Sequence, residues 1–312
     1  MRKLVLRWLS TAVPLVLGIS VLTFVLASFV PGDAARAVLG VNATPEQYEA
    51  LRSELGLDQP LWRQYVDWLG GALQGDLGRS ITSGDAVSNQ IATRLGATLS
   101  LMIGAIVVAA LVGVGLGLMS ALRGGVVAKI IDVTSLLGLA IPSYWFGLVL
   151  AAAFAVTWPL FPATGYVPFG ESPGGWLQSL TLPVLTLGLT SSAIIAKQTR
   201  SGVLSELDKE YVRILRARGL RERAVIGRHV LRNAATPIVT VLGTVFIGLL
   251  SGTVLVETVF VMPGLGGLSV TATTAHDLPI VQGVALVFTI MVVVVNLLIE
   301  LLTSALNPKV RT

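Results

Sequence analysis

Two histidines, seventeen carboxylates and no cysteine bound the chemistry open to this 312-residue chain. Without cysteine there is no disulfide, no thiolate metal site and no thiol nucleophile. His229 and His276 both fall in segments connecting apolar runs, and a metal pair is not expected from them. Ion-coupled carriers place ionisable groups at mid-membrane. Here Glu257 lies near the outer end of the fifth apolar run and Glu300 near the inner end of the sixth. Asn296 and Glu300 share a helix face at i, i+4, which suits a polar contact at a helix end as well as a coupling site. No Gly-x-x-x-x-Gly-Lys-Ser/Thr phosphate loop occurs. Gly113-Val-Gly115-Leu-Gly117 lies inside an apolar run, where glycines permit close helix packing rather than phosphate binding. The chain carries no catalytic constellation and is read as a non-enzyme.

The elements that hold these residues are set by composition. Only 12% of residues are charged, 54% are hydrophobic, and the mean hydropathy is +0.80. A soluble domain averages about 25% charged, so the bilayer is the natural solvent for this chain. Apolar runs of membrane-spanning length appear at 9–30, 96–122, 133–158, 179–199, 235–261 and 280–306. The first holds 13 Leu, Ile, Val and Phe residues and no charge, worth about −4 to −8 kcal/mol of insertion energy. It exceeds a signal-peptide h-region and ends at Pro31-Gly32 without a clear cleavage site, so it is expected to be retained. Pro142 and Pro183 are expected to break helix hydrogen bonding within the third and fourth runs.

Charge gives the direction. Lys and Arg number three before the first run, two between the second and third, ten in 197–232 and two at the C-terminus. Segments 159–178 and 262–279 have none, and five lie in 31–95 beside eight acidic residues. Positive charge stays in the cytoplasm. Both termini are therefore expected inside, as six spans require. The same distribution explains a pI near 9.8 without nucleic acid.

The external segment 31–95 carries helix signals. Thr44-Pro45-Glu46-Gln47 reads as an N-cap, a first-turn proline and a capping-box glutamine, with Gly56 as the stop. Leu61, Tyr65, Trp68 and Leu69 mark a second amphipathic stretch. It suits a cap on the bundle or a landing surface for a substrate-binding protein. In the internal segment 200–234, Leu207, Tyr211, Ile214 and Leu215 fall at helical spacing from Glu206 to Arg218, with Gly219 as the following turn residue. A second short helix is expected over about Glu222–Leu231, leading into the fifth run. A short, charged, interrupted apolar face fits a protein groove better than a lipid surface.

The stretch Tyr211-Val212-Arg213-Ile214-Leu215-Arg216-Ala217-Arg218-Gly219-Leu220, continuing to Arg228-His229-Val230-Leu231-Arg232-Asn233-Ala234, resembles the cytoplasmic coupling loop of binding-protein-dependent permeases. Within that class it resembles the dipeptide, oligopeptide and nickel importers. Further matches are Pro31-Gly32-Asp33, Gly56-Leu57-Asp58-Gln59-Pro60-Leu61, Gly75-Asp76-Leu77-Gly78-Arg79-Ser80, Ile141-Pro142-Ser143, Leu182-Pro183, Glu257-Thr258-Val259-Phe260, Pro263-Gly264-Leu265-Gly266, Asn296 and Asn307-Pro308-Lys309-Val310-Arg311. The broader class has Glu-Ala-Ala before the loop glycine, where this chain has Arg213-Ile214-Leu215, and ends the loop in Leu-Pro, where this chain has Leu231-Arg232.

The resemblance covers nearly the whole chain and implies an all-α ABC importer type I permease bundle of six spans in a bacterial or archaeal plasma membrane. It implies the first of two homologous permease subunits, two ATP-binding subunits that hold ATP and Mg, and an extracytoplasmic substrate-binding protein. It places ATPase coupling on Glu210, Tyr211, Arg213, Ile214, Leu215, Arg216, Ala217, Arg218, Gly219 and Leu220. Pro142, Pro183, Glu257, Pro263, Gly264 and Gly266 are gate or hinge candidates, the two prolines within runs being equally readable as ordinary membrane kinks. The implied cargo is a dipeptide or oligopeptide; a nickel chelate or glutathione-like cargo, or a secondary carrier, are the alternatives.

Overall fold

A computed structural model describes residues 2–29, 34–40 and 43–306. The motifs Pro31-Gly32-Asp33 and Asn307-Pro308-Lys309-Val310-Arg311 lie outside the described residues. Among those described, regular structure is helical, apart from one isolated bridge between Arg79 and Ala86. Five helices are long and apolar enough to cross a membrane, and a bent pair makes a sixth candidate. The chain divides into two compact units, residues 1–98 with 263–293, and residues 99–262 with 294–312.

The first unit contains α1 (Arg2–Ser28), α2 (Ala34–Leu39), α3 (Pro45–Glu54), α4 (Leu61–Ala72), the start of α5 (Val87–Arg123), α12 (Leu265–Thr274) and most of α13 (Leu278–Leu306). Its core joins Val87 and Ile91 of α5 to Leu265, Leu268 and Ala272 of α12 and to Ile280 and Val284 of α13. The segment between α1 and α5 is held to this unit by polar contacts among its described residues. Tyr65 of α4 shares a 2.8 Å hydrogen bond with Ser20 of α1 and meets Phe24 edge-on at 5.5 Å. Asp277, fully buried before α13, accepts from Ser80 Oγ at 2.5 Å, Thr82 Oγ1 at 2.8 Å and Thr82 N at 3.2 Å. A buried carboxylate needs such donors, because its desolvation would otherwise be uncompensated. The loop motif ending in Ser80 is thereby fastened to the turn before α13.

The second unit contains the remainder of α5, α6 (Gly125–Ala140), α7 (Ser143–Ala151), α8 (Pro173–Leu207), α9 (Glu210–Ala217), α10 (Glu222–Ala224), α11 (Leu231–Val259) and the end of α13. The long α8 is its axis, packing against α6, α7 and α11. It also receives α5. A Cβ on Gly113 would stand 2.7 Å from Ile195 Cβ, and one on Gly117 would collide with the Ala196 carbonyl. These glycines seat one helix on another, as a small-residue contact does in a membrane bundle.

Of the two prolines expected to interrupt apolar runs, one breaks its helix and the other does not. The run 133–158 breaks at Ile141-Pro142, as expected: α6 and the helix from Ser143 to Thr157 are bent by 98° there. Proline pushes the preceding residue out of the helical region, and Ile141 is extended with ψ 124°. Pro183 causes no such break. It lies inside the uninterrupted 35 residues of α8, where loss of one N–H donor is tolerated. The short helix expected over 222–231 leads into the fifth run: α10, a stretch of wider π-type turns at Val225–Val230 and α11 follow without a gap. Residues 9–28, 96–122, 179–199, 235–259 and 280–306 of the other five runs each lie within one continuous helix.

Candidate coupling site

The site is built where α8 ends. Its last turn carries Glu206 and Leu207, and the helix stops at Asp208. After Lys209 in extended conformation, α9 begins with Glu210, whose negative charge suits a helix N-terminus. After eight residues it ends in a Schellman turn. Gly219 N donates to Arg216 O at 2.9 Å and Leu220 N to Leu215 O at 3.3 Å. Gly219 holds φ +76°, a conformation that glycine adopts without strain.

One side of α9 is anchored. Val212 is fully buried in a cluster with Val203 of α8, Val225 and Val230, and Ala234 and Ile238 of α11. Leu207, Tyr211, Leu215 and Leu220 pack around it. The π-type turns place Val225 and Val230, five residues apart, in the same cluster. Polar contacts reinforce this anchor. Tyr211 Oη donates to Glu206 Oε2 at 2.9 Å, Asn233 Nδ2 donates to Tyr211 Oη at 3.1 Å, and Lys209 Nζ contacts Glu206 Oε1. Burial pushes the Tyr211 hydroxyl up from its ordinary value, against the bond from Asn233 and with the Glu206 carboxylate, so the phenol keeps the proton it donates. A chain of three side chains thus links α8, α9 and α11.

The opposite side is open. Arg213, Ile214, Ala217 and Arg218 are exposed, with Ile214 48% accessible. Arg216 reaches across the glycine turn and donates twice to Glu222, from Nε at 3.1 Å and Nη2 at 2.6 Å. That fork raises the Arg216 pKa, but the pair is solvent-exposed and adds shape rather than stability.

The apolar face expected from sequence is therefore corrected. Leu207 belongs to α8, and Ile214, which a count from Glu206 places with the buried residues, points outward. The helix break at Asp208-Lys209 resets the angular register, so one count cannot run through it. Val212 is the anchor that the sequence spacing passed over. Its signal emerges only when α9 is started at Glu210: Tyr211, Val212 and Leu215 then share a face.

The gate and hinge candidates are distributed. Pro142 opens α7 at the 98° bend, and Pro183 is buried within α8. Glu257 is 1% exposed in the last turn of α11, and its carbonyl accepts from Met262 N at 2.8 Å as the chain leaves the helix. In the first unit, Gly264 caps α12, whose first N–H, that of Leu265, donates to Thr98 Oγ1 at 2.9 Å. Gly266 is buried in that helix and Pro263 is exposed before it.

Comparison with known proteins fits this architecture. Residues 113–312 match the family model for binding-protein-dependent transport system inner membrane components, and residues 1–102 match the model for the N-terminal part of such components. A peptide transport system permease protein of Brucella abortus (strain 2308) is 40% identical over 312 residues, covering 100% of this chain and 99% of that protein. The dipeptide transport system permease protein DppB of Escherichia coli (strain K12) is 36% identical over 340 residues, covering 100% and 99%. Among solved structures, a chain of the inward-facing MetNI methionine ABC transporter superposes with a TM-score of 0.54 at 15% identity, covering 70% of this chain and 96% of that one. That likeness is one of fold. The apolar helices, the anchored α9 and these matches together make the chain a multi-pass plasma-membrane permease, a member of the family of binding-protein-dependent transport system inner membrane components.

Proposed function

We propose that this chain is one of two homologous permease subunits of an ATP-driven importer of short peptides, and that α9 is the part on which separate ATP-binding subunits push. The observation that carries this reading is the two-sidedness of α9. It presents Ile214 and Ala217, framed by Arg213 and Arg218, while Val212 fixes its back to α8 and α11. An exposed apolar side chain ringed by cations on a pinned helix suits a groove in a protein partner. A displacement of α9 would be passed through Val212 and the Glu206–Tyr211–Asn233 chain to both long helices.

The charge distribution supports both termini and the loop 197–232 on the cytoplasmic side. ATP and Mg belong to the partner subunits, because the chain has no phosphate loop. The cargo reading rests on the names of the Brucella and Escherichia relatives. Cargo would be delivered by an extracytoplasmic binding protein. Pro142, at the bend, is the hinge we assign to the motion, with Glu257, Pro263, Gly264 and Gly266 at the outer gate and Pro183 as a fixed point within α8.

The test is co-purification of the tagged chain in mild detergent, with ATP hydrolysis and dipeptide uptake measured on the wild type and on Ile214→Glu. We expect the ATP-binding subunits to co-purify with the wild type and to dissociate from the variant, with uptake lost and the permease still inserted. Retention of those subunits and normal uptake in Ile214→Glu would end the assignment of α9. Intact peptide uptake in a strain lacking the chain, with nickel uptake lost, would end the assignment of cargo.

A further inference from the structure

Helix α4 carries two apolar faces about a quarter-turn apart, and only one of them is packed. The packed face holds Tyr65, Trp68 and Ala72, all half-buried. Tyr65 bonds Ser20 of α1 and meets Phe24 edge-on, and the Trp68 ring lies 6.1 Å from that of Tyr65. The other face holds Trp62 and Val66 with Leu73, the residue that closes the helix, at i, i+4 and i+11. These three are 69%, 55% and 81% exposed. Arg63, Gln64 and Asp67 occupy the remaining side. Three large apolar side chains in one bare stripe call for a cover.

The position of α4 says what the cover is. Ser20 and Phe24 belong to Ser10–Ser28, the part of α1 long and apolar enough to cross a membrane. Phe24 stands one helical turn, about 6 Å, from the end of that stretch. On α1, Val21 and Val25 lie about 100° round from Ser20 and Phe24, with Leu22 and Leu26 beyond them. All four are exposed apolar side chains on a span, and they therefore face lipid. At 12 residues α4 is about 18 Å long, too short to cross a hydrocarbon core of about 30 Å. A short amphipathic helix held against the last turns of a span lies where hydrocarbon meets headgroups, and its bare stripe continues the lipid-facing surface of α1. The residue types agree. Tryptophan is favoured at that level, and the exposed Arg63 borders the stripe on its polar side, where a cation meets lipid phosphate.

We infer that α4 is an interfacial helix, and that Trp62, Val66 and Leu73 insert into phospholipid at the boundary of acyl chains and headgroups. The segment between α1 and α5 is then held by protein on one side and by the bilayer on the other. The inference needs only the membrane setting of the chain; neither the cargo nor the coupling role of α9 enters it.

The chain has no cysteine, so Val66→Cys, Leu73→Cys and Asp67→Cys can each carry a single nitroxide label. The full chain, with the subunits that co-purify with it and without binding protein, is placed in nanodiscs of phosphatidylcholine and phosphatidylglycerol. Collision of the label with oxygen, which concentrates in hydrocarbon, is compared with collision with chromium oxalate, which stays in water. We expect the oxygen-to-chromium ratio at positions 66 and 73 to exceed that at position 67 by about threefold or more, as insertion to a depth of about 5–10 Å implies. Trp62→Phe gives a reading free of any label: brominated phosphatidylcholine should quench the tryptophan emission of the unsubstituted chain more than that of the variant. All four substituted residues are exposed, so the variants should assemble normally. The inference is overturned by water-like ratios at positions 66 and 73, by shielding from both reagents, which means that another protein subunit covers the stripe, or by equal quenching with and without Trp62. Water-like ratios that give way to full shielding when binding protein is added would assign the stripe to that protein instead.

Discussion

The helices α3 and α9 are similar in length and close in the way they end, yet they are held by opposite means. Each stops in a Schellman turn on a glycine of positive φ. Gly56 has φ +66° and donates to Ser53 O at 3.1 Å, while Leu57 N donates to Arg52 O at 2.9 Å. Gly219 repeats the arrangement after α9. At their starts they differ. Thr44 caps α3 in a full capping box with Gln47, at 3.3 and 3.0 Å, whereas Lys209 gives α9 no side-chain cap. Along their lengths they differ more, since α3 buries no residue and α9 buries Val212 completely. One helix is secured by its ends and the other by its middle. A helix secured by its ends answers to local chemistry. A helix secured through a buried anchor carries a load into its neighbours, which is what a coupling element must do.

The comparison is broken most directly at the anchor. Val212→Ala should destabilise the packing of α9 by about 2 kcal/mol, from lost burial plus a residual cavity. Leu51→Ala on the half-buried side of α3 should cost roughly 0.5 kcal/mol. Hydrogen exchange over 210–218 and 45–54 would read both; equal protection loss in the two helices would deny the distinction. Uptake should fall only in the Val212 variant.

The glycines sharpen it. Gly219→Ala and Gly56→Ala each force a side chain into the left-handed region and should each cost about 1 kcal/mol or slightly more of local stability. The structural cost is shared and the functional cost is not: transport-coupled hydrolysis should drop for Gly219→Ala and hold for Gly56→Ala. A matching loss in both would mean that the segment carrying α3 is as mechanically coupled as α9.

The smallest effect concerns the cap. Thr44→Ala should fray α3 by about 1 kcal/mol and leave uptake intact. Acid should act in the same direction. Glu46 is held below its ordinary 4.5, first by a hydrogen bond from its own backbone N–H and then by Thr44. Its folded pKa is depressed, so the support it lends α3 is present above that ordinary value and is lost as pH falls through the lower folded one. Exchange over 45–54 should therefore quicken below about pH 4.5 beyond its intrinsic pH dependence. Exchange that tracks the intrinsic rate through that range would remove Glu46 from the account.

Much of the architecture was readable from residues in sequence. A chain with 12% charge and five apolar runs that fold as continuous helices has only one solvent that suits it. The caps of α3 were legible because capping is a contact between residues three apart, and both Schellman glycines were legible because positive φ selects a residue type. The packing role of Gly113 and Gly117 was visible for the same reason, since their lack of a side chain is itself the signal.

What stayed hidden depended on residues distant in sequence. The break at Asp208-Lys209 reassigned Leu207 to one helix and turned Ile214 outward, because helical periodicity gives a face only after the helix's start is known. Pro142 and Pro183 are the same residue type in apolar runs, yet one bends the chain by 98° and the other sits in a continuous helix. Asp277 gave no sign that Ser80 and Thr82 would converge on it, nor Gln282 that Ser20 would take half of its amide. Composition and local spacing determine which segments are helical and that they belong in a membrane, since both follow from the intrinsic properties of neighbouring residues. Which side of α9 is anchored, and which donors converge on Asp277, are decided by contacts between segments far apart in the chain, where burial rather than pattern sets the energy.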